Sequence, residues 1–230
     1  MVGALFCLVT TGGTGIWRVH KQRSANETSA QKARDTVARF LPSLVLLVRS
    51  EEMPALRNDA PVGVGFFVST DGILVTSAEV LRALQTTTPR VVSVTFPAPT
   101  PLRATCIAMD STHGIAILQL SPPTHPTAPL YLSTLESPGG IPRALGFAAN
   151  SRILPQRAAI APPSEPNETR MFWFLSVATL GSPVLLEESD EVIGVVVQPD
   201  PRAGRSGLIP MNELQEVLGR SRDHSAPPCS

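Results

Sequence analysis

An aspartate, a histidine and a serine are the side chains that together perform acyl transfer, and all three occur here in suggestive settings. Asp110 stands three residues before His113, and Ser182 lies beside Pro183 in a loop-like stretch. In such chemistry the histidine takes the serine proton, the acid orients the imidazole, and the serine oxygen attacks a carbonyl. His113 and Ser182 are far apart in the chain, so only the fold could bring them within hydrogen-bond reach. Each also has a plainer structural reading: a polar turn before an apolar strand for Asp110 and His113, and a turn residue for Ser182. Glu79 adds a carboxylate that could face solvent, pair with Arg82 at i+3, or be buried in a cleft. The run Phe172-Trp173-Phe174 reads either as core or as an apolar, peptide-contacting patch.

Other chemistries find no support. Four histidines and three cysteines show no metal-ligand spacing, so neither a metal nor any other cofactor is expected. Cys7, Cys106 and Cys229 form no CxxC pair. Cys106, in an apolar strand, is expected to be a buried packing thiol, with one bridge left open. Thr11-Gly-Gly-Thr-Gly15 is glycine-rich but follows no strand of a βαβ unit, so it is not read as a phosphate loop.

The elements that must position these groups are short. A helical spacing of Ala30, Ala33, Val37 and Phe40 ends at Pro42, and residues 44–48 are a continuous apolar run of strand length. Strand-like segments follow at 64–68, 73–76, 91–96, 102–108 and 115–120, with a helical turn or two at 78–84. Asp71-Gly72 marks a hairpin between the first two. A second set lies at 144–147, 171–176, 184–186, 192–197 and 208–209, and a helix at 212–218 begins where Asn212 could cap it.

Composition agrees with many short strands. The chain has 230 residues, of which 43% are hydrophobic and 17% charged, which excludes general disorder. Nineteen basic residues balance nineteen acidic ones, so no global field draws the chain to nucleic acid. Its 23 prolines argue against a helix bundle, because each interrupts a helix or confines a strand. Residues 1–17 are apolar but glycine-interrupted and shorter than a spanning helix, and Arg18, His20, Lys21 and Arg23 follow. A membrane anchor, a trimmed or disordered leader and an organelle transit segment all remain open, and the compartment with them. The expected division is a leader or anchor with basic linker at 1–27, one domain at 28–220, and a disordered tail at 221–230.

Five local patterns, in order, resemble the trypsin-like protease domain of the HtrA/Deg family. They are the helix, Pro42-Ser43 turn and strand of residues 37–48, the hairpin Gly63-Val-Gly-Phe-Phe-Val-Ser-Thr-Asp-Gly-Ile-Leu-Val-Thr76, and Asp110-Ser-Thr-His-Gly-Ile-Ala-Ile-Leu118. Glu191-Val-Ile-Gly194 and Ile209-Pro-Met-Asn212 complete the set. The resemblance covers about residues 28–220 and implies an all-β fold: two packed six-stranded barrels with short N- and C-terminal helices.

The same resemblance places Glu79 at the family's histidine, Gly114 at its aspartate and Leu180 at its serine. Ala178, Thr179 and Leu180 take the place of the oxyanion loop. The implied molecule is an inactive protease homologue, because leucine has no lone pair with which to attack a carbonyl. It would act by binding a protein or extended peptide along Val195, Val196 and Val197, with Trp173 as a further contact, and without the PDZ module usual in the family. A rearranged hydrolase using Ser182, and a purely structural membrane-tethered subunit, are the alternatives. Homo-oligomerisation and a membrane-associated or extracytoplasmic place are further implications of the family.

Overall fold

The computed structural model describes residues 31, 34–49, 61–86, 88–93, 100–121, 128–135, 140, 141, 143–149, 153–163, 171–222 and 229. The leader and basic linker of residues 1–27 lie outside these, as does most of the tail. Helix α1 covers 34–40 and passes through a 3-10 turn, Leu41–Ser43, into strand β1, Leu44–Val48. Strands β2 (Gly63–Phe67) and β3 (Ile73–Ser77), helix α2 (Ala78–Leu84), and strands β4 (Arg90–Ser93), β5 (Thr100–Asp110) and β6 (Ile115–Ser121) follow. These six strands close into a barrel in the order β1-β2-β3-β6-β5-β4.

The second half contains β7 (Ala144–Ala149), β8 (Ile153–Ala158), β9 (Ile160–Ala161), β10 (Phe172–Phe174), β11 (Pro183–Leu186), β12 (Val192–Asp200) and β13 (Arg205–Pro210). Its order is β8-β7-β11-β12-β13-β10-β9. Only Ala159 separates β8 from β9, so one bent stretch of chain supplies both terminal strands of the sheet. The expected six strands become seven because this stretch breaks in two. Neither piece was expected from sequence: Pro155 sits mid-strand in β8, which is tolerated because β8 is an edge.

The apolar patterning explains the layers. Every residue of β1 is buried, because alternate side chains enter different cores. Leu44, Leu46 and Val48 join a cluster with Phe66, Phe147, Val195 and Ile209, while Val45 and Leu47 face the barrel interior beside Phe67, Leu74 and Leu118. The first cluster joins the two halves and takes in helix α3, Met211–Arg222, through Met211, Leu214, Val217 and Leu218. Its first residue is Met211, so Asn212 lies inside the first turn rather than at a cap. A third cluster, with Phe174, Val184, Ile193 and Val196, fills the second half.

Two expectations about cysteine and the tail are corrected. Cys106 is not a free packing thiol: it is disulfide-bonded to Cys229, with Cα atoms 5.9 Å apart. The tail is therefore tied at Cys229, and residues 221 and 222 belong to α3. Sequence spacing carries no sign of a pairing between positions 123 residues apart. Among the described residues, no helix is long and apolar enough to cross a membrane.

Candidate functional site

Helix α2 starts directly where β3 ends. The Ser77 hydroxyl caps it by accepting from the Glu79 N–H, and the Ala78 N–H donates to the Gly114 carbonyl at 2.8 Å. This places the start of α2 beside the 110–114 turn. Glu79 is half-exposed and ion-paired with Arg82 one helical turn on, the second of the three settings its sequence allowed. It also lines a cleft of about 490 Å³ together with Arg82, Ser111, His113, Gly114 and Val197. Gly114 has φ +69°, and a Cβ there would meet only Val197, at 3.5 Å.

Asp110 and His113 are brought together, but in a structural network. The Asp110 carboxylate accepts from the N–H groups of Thr112 (2.9 Å) and His113 (3.1 Å) and meets His113 Nδ1 at 3.0 Å. Arg220 of α3 binds it at 2.6 Å, and His113 Nε2 lies 3.1 Å from the buried Glu213 carboxylate. Both imidazole nitrogens thus face carboxylates. Glu213 and Arg220 escaped sequence reading, since a charged residue at a buried helix position shows only as a break in an apolar pattern.

Burial raises the pKa of Asp110, but the hydrogen bonds from the side chain and backbone of His113 and from Arg220 outweigh it, leaving about 2 against 3.8. A depressed carboxylate stabilises the fold above its unfolded pKa, and that contribution fades as pH falls from about 4 toward 2. We expect Asp110→Asn to cost about 2 kcal/mol at neutral pH. In urea unfolding the gap to the parent should narrow below about pH 4; a gap independent of pH would refute the charge-based account.

The 178–182 loop is held by its own sheet. The Ala178 N–H donates to Ser206 Oγ (2.9 Å), the Thr179 N–H to the Phe147 carbonyl (2.9 Å), and the Gly181 N–H to the Val196 carbonyl (2.8 Å). The Leu180 carbonyl accepts from the Val64 N–H at 2.8 Å, and its side chain packs against the first barrel's core. Ser182 is fully buried. Its hydroxyl donates to the Pro183 carbonyl (3.1 Å) and accepts from the Phe147 N–H (3.0 Å). A serine with no exposure and a satisfied hydroxyl is a structural residue, so the structure does not join Ser182 to His113. Ser206, which ties Ala178 to the Ser176 carbonyl, was not singled out from sequence; it carries no local signal.

The binding candidates need correction. Val195 and Val196 are fully buried and flanked on both sides: Val195 by Pro183 and Ile209, Val196 by Leu208 and by the Gly181 and Ser182 backbones. They cannot accept an added strand. Past Val196 the β11 pairing has ended: Val197 is bulged, residues 198–200 pair with β13, and among the described residues no second strand flanks this stretch. Val197 and Gln198 line the cleft, so of the three valines only Val197 remains a candidate. Trp173 is 9% exposed and covered by the Arg205 guanidinium, 3.8 Å from the ring centroid, so it is not an open contact. Its apolar run is core, as the plainer reading had it.

Comparison with known proteins now bears on this arrangement of two β-sheets with a cleft between α2, the 110–114 turn and β12. The trypsin-like peptidase domain family matches residues 63–195. The chain belongs to that family. Among solved structures, this trypsin-like domain is similar to the Ser343Ala mutant of Rv3671c from Mycobacterium tuberculosis in its inactive form, at 19% identity and TM-score 0.60, over 83% of this chain and 92% of that one. The MamO protease domain of Magnetospirillum magneticum aligns at 16% identity and TM-score 0.58, over 76% and 95%. The serine endoprotease of Yersinia pestis aligns at 17% and 0.62, over 82% of this chain and 66% of that one. The trypsin-like fold shared with these structures is in line with the resemblance drawn from the five sequence patterns. No curated protein matches the sequence. At such identities the solved structures speak to the fold of this trypsin-like domain and leave its chemistry to its own residues.

Proposed function

We propose that this trypsin-like domain is a pseudoprotease that binds extended protein segments and does not cleave them. The observation that carries the reading is Leu180 in the segment resembling the nucleophile loop: its side chain carries no oxygen, and the hydroxyl of Ser182, two residues on, is buried and hydrogen-bonded. Glu79 and Gly114 stand where the family's histidine and aspartate would. A glycine cannot orient a base, and the Glu79 carboxylate is occupied by Arg82. The Ala178 N–H, which the resemblance makes an oxyanion donor, is bonded to Ser206 and would have to exchange partners before stabilising a developing charge.

Binding survives such losses because it uses different atoms. The flank of β12 at residues 197–200, which no second strand pairs among the described residues, offers backbone for strand addition, and the fold rests on its buried cores rather than on any catalytic group. The test is direct. Purified chain should leave unfolded casein intact and should not react with a fluorophosphonate probe. Labelling at Ser182 that disappears in Ser182→Ala would refute the proposal.

A further inference from the structure

Two carboxylates from distant parts of the chain face one imidazole. Asp110, at the end of β5, meets His113 Nδ1 at 3.0 Å, and Glu213, in the first turn of α3, lies 3.1 Å from Nε2. Asp110 also accepts from the Thr112 and His113 N–H groups and from the Arg220 guanidinium. It is thus held as an acceptor, so Nδ1 must carry the hydrogen of that pair. A neutral imidazole has only one N–H, which would leave a lone pair on Nε2 facing the Glu213 oxygen. Such a contact is unfavourable, and Glu213 is 1% exposed, so water cannot readily step between the two atoms. The contact therefore calls for a second hydrogen, on Nε2 as imidazolium or on Glu213 as the acid, and these two forms share one proton.

The surrounding charges do not replace that proton. On α3, Arg220 binds Asp110 and lies 4.0 Å from Glu216; on α2, Glu79 and Arg82, which line the same cleft as His113, pair with each other. With the proton present, Asp110, His113, Glu213 and Arg220 are neutral in sum. Without it they carry one net negative charge beside a buried carboxylate. What the pair holds in place is α3, whose Met211, Leu214, Val217 and Leu218 complete the cluster joining the two halves. We propose that the proton between His113 and Glu213 is a latch on α3: while it is present the helix stays docked across both halves, and its loss as pH rises loosens the helix and uncovers that apolar face. The docked state holds a proton that the released helix gives up, so rising pH favours release, a dependence opposite in sign to that of Asp110. The latch works whether or not the cleft binds peptide.

Hydrogen exchange of the full chain at about pH 5 and about pH 9, corrected for the intrinsic rate, reads the opening of α3 amide by amide. Protection of the α3 amides should fall about tenfold or more at the higher pH, while amides of β3 change less. In Glu213→Gln the side-chain amide can donate to a neutral Nε2 or, turned over, accept from a protonated one. Protection of α3 in that variant should therefore be the same at both pH values. Should the variant not fold, the parent still decides: by NMR, the His113 ring nitrogens and the Glu213 carboxyl carbon should change in the same pH step as α3 protection. Protection of α3 that does not vary with pH in the parent would overturn the latch. So would a fall in Glu213→Gln equal to the parent's, or a ring and carboxyl step separate from the opening of the helix.

Discussion

Replacing Gly181 with alanine is expected to destabilise the domain by about 4 kcal/mol or more. Gly181 has φ +79°, where an L-residue is strained, and a Cβ would lie 2.0 Å from the Val64 carbonyl oxygen and 2.3 Å from Thr76 Oγ1. The obstacle is largely backbone, so no rotamer change relieves it. The position also joins the two halves: its N–H reaches Val196 in β12, while the neighbouring Leu180 carbonyl receives the Val64 N–H of β2. Pushing the chain back would strain both bonds. Gly140 is the control, with φ +81° and, among the described residues, nothing within 4 Å of the place a methyl group would take. Gly140→Ala should cost only the backbone term, about 1–2 kcal/mol. Urea unfolding of both variants reads the difference; equal costs would mean that the close approach of the two halves contributes nothing.

Breaking the Cys106–Cys229 bond should lower stability by about 5 kcal/mol if chain entropy dominates. The bond closes a ring over a separation of 123 residues, which includes β6, the whole second sheet and α3. Cys229 packs against the barrel core whose other members include α2 and Leu180. Cys106→Ala, Cys229→Ala and the double variant should unfold at the same denaturant concentration, as should the reduced parent. In the oxidised, denatured parent one thiol, that of Cys7, should react with a thiol reagent. Three reactive thiols, or additive losses from the two single variants, would contradict the pairing.

The cleft and the loop answer to different parts of the sequence. Whether a nucleophile can exist at residue 180 was legible at once, because it depends on the atoms of one side chain. The inward face of Ser182 was not, since the Phe147 N–H and Pro183 carbonyl that hold it are set by the pairing of β7 with β11. Trp173 shows the same limit. Its aromatic run suits a core and a binding patch equally, and Arg205 on the neighbouring strand decides the matter by covering the ring.

The sequence by itself determined most of the strands, though not β8 and β9, because patterning and burial are local demands. The apolar run at 44–48, read as strand by its length, is a strand, and residues 78–84 formed the helix their pattern indicated. It also determined the family, through short motifs whose order the fold preserves. Only the tertiary structure decided the pairing of Cys106 with Cys229, the Asp110–His113–Glu213–Arg220 network, and where β12 loses its second neighbour. Each of these depends on groups that meet across long stretches of chain. Periodicity records which face of a residue is buried, but it carries no record of which distant residue buries it.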